Sequence, residues 1–216
     1  MFWDTVAPFY TLFENIYNGK VNKQLQSEVA SLICSSDLVL ECACGAGMLS
    51  VPIAQSCRKL IATDYSAGML SQTKKACKKL SNVTLRRADI MHLNCKDNSF
   101  DKVVAGNVIH LLDDPAAALS ELLRVCKPGG KLIIPTYINI ERNGNPDILV
   151  RIFKKLGANF KQQFNFATYQ DFFKEAGYPD AEYILVNGKM PCAIAIITKE
   201  DNQQNKTVLQ TEDRLS

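Results

Sequence analysis

The chain has 216 residues, 25 Lys and Arg against 22 Asp and Glu, a formal charge of +3, 47% hydrophobic residues and 22% charged ones. That length and apolar fraction suit one α/β domain with a sizeable core and argue against a disordered or fibrous chain. So small a net charge argues against a nucleic-acid partner, and no apolar run reaches the roughly 20 residues of a membrane-spanning helix.

In chain order, the first segment is dense in aromatic and apolar residues: Phe2, Trp3, Val6, Phe9, Tyr10, Leu12, Phe13, Ile16 and Tyr17. Its spacing predicts a helix over 3–17, followed by a second over 21–33. A strand over 37–42 runs into a glycine turn and a helix over 47–56, and a strand over 59–64 precedes a helix over 67–80. Strands follow at 83–88 and 101–106. Asp114 and Pro115 supply an N-cap and a first-turn proline for a helix over 115–126, which Lys127-Pro128-Gly129-Gly130 stops before a strand over 131–136. Helices over 147–157 and 168–176 lead to strands over 181–187 and 192–198. The short link Gly188-Lys189-Met190-Pro191 suits a hairpin, so the last strand is expected to be antiparallel. The polar stretch 200–216 lacks periodicity and reads as a disordered tail. The alternation predicts a Rossmann-like, doubly wound sheet of seven strands, mostly parallel, with helices on both faces, in one domain over 1–199.

The densest chemistry lies at the first strand end, where Leu40-Glu41-Cys42-Ala43-Cys44-Gly45-Ala46-Gly47 passes from an apolar strand through a carboxylate into glycines. Gly45 and Gly47 leave room for main chain to turn tightly against a ligand. Asp64 ends the second strand 19 residues past Gly45, near the roughly 20 expected of a carboxylate that grips ribose hydroxyls. A dinucleotide site calls for a third glycine, yet Ser50 stands there, and Glu41 would repel a pyrophosphate. An acid, two glycines and a second acid fit S-adenosylmethionine better, because that nucleoside carries an ammonium and a sulfonium.

These segments, with Thr63-Asp64-Tyr65-Ser66, Arg87-Ala88-Asp89-Ile90, Phe100 to Leu112 and Leu122 to Ile134, resemble the class I S-adenosylmethionine-dependent methyltransferases of small molecules, near the ubiquinone/menaquinone group. The resemblance runs from about Trp3 to Lys199, with one departure: Ala43 stands where that family often has glycine. It implies that Asp64 holds both ribose hydroxyls, that Tyr65 and Met69 lie against adenine, and that Asp89 accepts from the adenine amino group beside Ile90. It further implies that Asn107 and Val108 face the methionine portion, that Glu41, Cys42, Gly45 and Gly47 form the cradle, and that the amino-terminal helix is a lid from which Tyr10 or Tyr17 reaches the cofactor carboxylate. Plainer readings stand beside these: caps for Asp64 and Asp89, core for Met69, a docking stripe for the first helix.

His110 follows the fourth strand in the loop that borders the methyl group in that family, so it is the candidate general base; a hydrogen-bonded helix-start histidine is the alternative. The eight cysteines have no metal-ligand spacing and, with no export signal legible, are expected as reduced thiols in the cytoplasm; no metal is expected. Lys74, Lys75, Lys78 and Lys79 read as a solvated helix face. Apolar residues of 137–170, among them Ile148, Leu149, Ile152, Phe153, Phe160, Phe164 and Phe166, are either the wall for a hydrophobic or aromatic acceptor or ordinary packing. The expected partner is a small-molecule methyl acceptor, and the chain is expected as a monomer or homodimer. A nicotinamide-dependent oxidoreductase shares the fold, but the chain has no Tyr-x-x-x-Lys pair. A noncatalytic nucleoside-binding scaffold is the other alternative.

Overall fold

The structure is a computed structural model that describes residues 2–139 and 161–201, without the side chains of residues 2, 5, 6 and 8–17. The expected helix over 147–157, the apolar residues between Ile148 and Phe160, the tail beyond Asp201 and the side chains of Tyr10 and Tyr17 lie outside the described residues.

Strands β1 (Leu38–Cys42), β2 (Lys59–Asp64), β3 (Val83–Arg87), β4 (Phe100–Ala105), β5 (Cys126–Tyr137), β6 (Glu182–Val186) and β7 (Cys192–Thr198) form one sheet in the order β3-β2-β1-β4-β5-β7-β6. The first five run parallel, while β7 lies antiparallel between β5 and β6, as the hairpin-like link requires. Period-two alternation sends successive strand residues to opposite faces. Leu40, Cys42, Val103, Ala105, Leu132 and Ile134 pack on one side with Leu119 and Leu122 of α4 (Pro115–Val125) and Tyr169 and Phe173 of α5 (Phe166–Glu175). Val39, Leu60, Ala62, Val104 and Ile133 pack on the other with Leu25 and Val29 of α1 (Phe2–Ser31) and Ile53 of α2 (Ser50–Ser56). Strands buried on both faces explain the near-continuous apolar runs.

Local chemistry sets most element ends. Asp114 caps α4 by accepting from Ala117 N, with Pro115 behind it. Asn165 and Thr168 form a reciprocal capping box at α5. Ser66 caps α3 (Ala67–Ala76) by accepting from Met69 N. The two amino-terminal helices are arms of α1 separated by a break at Asn18 (φ −128°, ψ 22°), whose buried amide donates to Met190 O at 2.9 Å. That bond ties the break to the β6–β7 link.

Several boundaries differ from expectation. The strand expected at 131 begins at Cys126, because Cys126 already pairs with Phe100 and a register shift absorbs the proline and glycines. Helix α2 starts at Ser50, since Gly47 has φ +90° and cannot sit in its first turn. Helix α3 stops at Ala76, which leaves Lys74 and Lys75 in its last turn, where the helix dipole favours cations, and Lys78 and Lys79 beyond it. Among the described residues no helix is long and apolar enough to cross a membrane.

The chain winds from β1 outward through β2 and β3, then returns to place β4 on the other side of β1. The carboxyl ends of β1 and β4 therefore face a switch point, where sheets of this kind open a crevice.

A Cβ at Gly188 would run into Val21 Cγ2 of α1. Gly188→Ala is expected to cost about 1 to 3 kcal/mol in denaturant unfolding by overpacking, and Val21→Ala in the same chain to cost less than the two singles together. Strict additivity would show that the close approach is not what the glycine serves.

Candidate functional site

A cavity of about 380 Å³ opens at the switch point, walled by the ends of β1, β2, β3 and β4 and by the first turn of α1. Its lining includes Glu41, Gly45, Asp64, Tyr65, Met69, Asp89, Ile90, Asn107 and Val108, so nine of the residues picked out in the sequence come together from four strand ends.

Glu41 ends β1 with 2% of its surface exposed, and Ser50 Oγ donates to its Oε2 at 2.6 Å. Ser50, noted in the sequence as a missing glycine, is thus the partner that makes a buried acid tolerable. Burial still pushes the Glu41 carboxyl up to about 8, against the Ser50 bond and with a further contribution from Asp64. Asp64 receives Gly45 N on Oδ2 at 2.9 Å and Ser66 N on Oδ1 at 2.8 Å. Each oxygen retains acceptor capacity, because a carboxylate has about four lone-pair sites. Burial raises its carboxyl above the usual range, opposed by those N–H groups. Asp64 thus ties the turn, as the capping reading expects, and also lines the cavity.

The glycines divide the work. Gly45 (φ +55°) lies on the cavity, and a Cβ there would meet nothing within 4 Å, so its surroundings leave space for a ligand. Gly47 lies off the cavity lining; its Cβ would come within 3.2 Å of Thr73 Cα and Ala76 Cβ, so its glycine serves the approach of α3. Cys42 is also off the lining, because alternation along β1 turns it to the opposite face from Glu41, where burial pushes its thiol up to about 12. Cys44, two residues on, does line the cavity, with its thiol raised by burial.

At the far strand ends, Asp89 Oδ1 accepts from Met91 N at 2.9 Å and shapes the turn that carries Ile90. Asn107 adopts φ 53° and is held by its N–H to Pro135 O at 2.7 Å and by Tyr137 N to its Oδ1 at 2.9 Å. Tyr65 is 50% exposed at the rim, with the Arg87 guanidinium 5.3 Å from its ring centre. His110 sits in a short 3₁₀ turn, Ile109–Leu111, off the cavity lining, and burial pushes its imidazole down to about 4, so it is neutral near pH 7. Phe164 is buried against Tyr169 and Phe172, and Phe166 stacks edge-on to Tyr183, so these two serve packing of α5.

Sequence reasoning passed over Trp3, Ala43, Ala46, Met48, Leu49, Ala88, Leu111 and Leu112, which also line the cavity. Trp3 was legible as part of an aromatic stripe; the small and aliphatic ones carried no signal beyond lying near strand ends. Among the described residues no group of His, Cys, Asp and Glu is arranged to hold a metal. The fit to an adenosine-type cofactor is good: two acids at the ends of adjacent strands, a bare main-chain turn between them, and apolar walls.

A methyltransferase-domain model matches residues 40–134, the span from β1 into β5. The demethylmenaquinone methyltransferase of Lactiplantibacillus plantarum is 30% identical over 214 residues, covering 86% of this chain and 89% of that protein. Among solved structures, the DhpI complex with SAH aligns with a TM-score of 0.71 at 17% identity, over 92% of this chain and 94% of that one. Magnesium protoporphyrin IX methyltransferase of Synechocystis PCC 6803, with bound SAH, aligns with a TM-score of 0.63 at 18% identity, over 89% and 88%. The chain belongs to the class I S-adenosylmethionine-dependent methyltransferases that act on small molecules. Its methyl donor is S-adenosylmethionine, and the oxidoreductase alternative falls away.

The Glu41 shift has a sign that can be measured. Between about pH 4.5 and about 8 the folded protein keeps a proton that the unfolded chain has lost, so the unfolding free energy of the cofactor-free protein should fall as pH rises, at about 1.4 kcal/mol per unit. Glu41→Gln is expected to flatten that fall in denaturant titrations across the window. Parallel curves for the two proteins would rule out Glu41 as its source.

Proposed function

We propose that the ribose of S-adenosylmethionine rests on Asp64, its adenine lies among Tyr65, Met69, Asp89 and Ile90, and its methionine end faces Glu41, Gly45, Asn107 and Val108. The methyl acceptor, on this reading, is a hydrophobic or aromatic small molecule. The observation that carries the proposal is the pair of a buried Glu41 and a half-buried Asp64, two acids flanking main chain at one end of a mostly apolar cavity.

When bound, S-adenosylmethionine supplies a methyl group on a cationic sulfur for in-line displacement by an acceptor atom, so the protein's part is mainly positioning. Asp64 orients the nucleoside through its remaining acceptor sites. Glu41, neutral when buried alone, gives up its proton once a cation stands near it. The apolar lining residues Trp3, Ile90, Leu111 and Leu112 help keep water from the cavity. The Lactiplantibacillus relative is named for demethylmenaquinone, and an apolar ring of that kind suits these walls. For an acceptor that must lose a proton, His110 is the candidate base from its place after β4, but it stands off the cavity lining with an imidazole pushed down to about 4, a weak base at neutral pH. Tyr10 and Tyr17 are retained as candidates for the cofactor carboxylate. The same reading makes residues 1–199 one methyltransferase domain with 200–216 as its tail, a cytoplasmic monomer or homodimer without a nucleic-acid partner.

Two measurements test this. Asp64→Ala should weaken S-adenosylhomocysteine binding in calorimetry by at least about tenfold, since hydrogen bonds to a charged group are worth about 1.5 to 3 kcal/mol each; unchanged affinity removes the ribose assignment. At pH 7, binding of S-adenosylmethionine should release a proton that Glu41→Gln does not, read as a dependence of the apparent heat on buffer ionisation. Turnover of an aromatic quinol panel with labelled cofactor, against hydrophilic acceptors, checks the acceptor class; transfer only to the hydrophilic set refutes it.

A further inference from the structure

The first turn of α1 is joined to the cavity by a short chain of hydrogen bonds. Asp4 Oδ1 accepts from Ser66 Oγ at 2.6 Å and from Gly68 N at 2.9 Å. Ser66 in turn donates its N–H to Asp64, which holds Gly45 on its other oxygen. We propose that Asp4 is a positioning residue, a latch that keeps Trp3 seated over the cofactor. The inference rests on the S-adenosylmethionine reading of the cavity.

Three observations support it. Ser66 alone already caps α3 through Met69 N, so the helix does not need Asp4 to start, and Asp4 adds an attachment for α1. Gly68 marks where the lid backbone rests: a Cβ there would stand 3.0 Å from Asp4 Cα and 3.2 Å from Asp4 O. Beside the latch, Trp3 lines the cavity and Ala7 is 1% exposed against Ala46 and Met69, which adds an apolar contact at the same place. The Asp4 carboxylate meets the positive end of α3, so its hydrogen bonds are charge-assisted. Asp4 holds the α3 start and stands off the cavity lining, whereas Trp3 lies on it, so Asp4 has a holding role and ligand contact falls to Trp3.

Trp3 is the chain's single tryptophan, so acrylamide quenching of its emission reads the lid position directly, with or without cofactor. In the full chain, Asp4→Ala is expected to raise quenching and to weaken S-adenosylhomocysteine binding about tenfold, the effect of losing one charge-assisted hydrogen bond. Asp4→Asn, whose amide oxygen accepts from the same donors, should restore most of both. Gly68→Ala should reproduce the Asp4→Ala behaviour with Asp4 intact, by pushing the turn away. Trp3 equally shielded in Asp4→Ala and the parent, or Gly68→Ala binding as the parent does, would overturn the latch. Shielding is read in the free protein, so a parent chain that binds no S-adenosylhomocysteine refutes the cofactor reading and leaves the quenching result to judge the latch.

Discussion

The structure depends on two carboxylates at neighbouring strand ends, Glu41 buried and Asp64 half-buried. Glu41 and Asp64 belong to adjacent strands, β1 and β2, and each is partly satisfied by the loop it helps to form: Ser50 bonds Glu41, and Gly45 and Ser66 bond Asp64. The turn after β1 is therefore held from both sides by acids that also face the cavity. Burying them raises both carboxyls toward the neutral form, and a cationic ligand recovers that cost in a way that pyrophosphate cannot. Stability is given up where function needs charge.

Backbone strain is placed in the same region. Ala43 and Asn107 both have φ of 53°, at the ends of β1 and β4 that flank the switch point. A non-glycine residue there costs about 1 to 2 kcal/mol. Asn107 is held by Pro135 and Tyr137 of the neighbouring strand. Ala43 has no side chain able to bond, so the family's frequent glycine at that position corresponds to a strain that this chain carries; the fixed neighbours Cys44 and Glu41, bonded through Thr63 of β2, hold it in place.

Much of the architecture was legible along the chain. The alternation of apolar runs set the strand and helix order, the Asp114-Pro115 pair marked a helix start, and the short link around Gly188 called for the antiparallel strand. Errors fell at boundaries. Cys126 to Gly130 looked like a stop because proline and glycine punctuate local structure, yet pairing with Phe100 across the sheet draws those residues into β5. Nine of the chosen site residues line the cavity because a parallel sheet gathers its strand ends on one side, a rule that needs no coordinates. Gly47 and Cys42 look like their neighbours in sequence, but one packs on α3 and the other faces the opposite core.

Periodicity, turn chemistry and motif spacing act over a few residues, so they were sufficient to specify the α/β winding, the acid-glycine turn and the class of cofactor. Contacts between distant parts of the chain were settled only by folding. Ser50 on Glu41, Gly68 under Asp4, and Trp3 on the cavity each depend on where separate elements come to lie, and Asp4 and Ser66 stand 62 positions apart. Such pairs leave no local trace, because either partner would look the same had it been solvated.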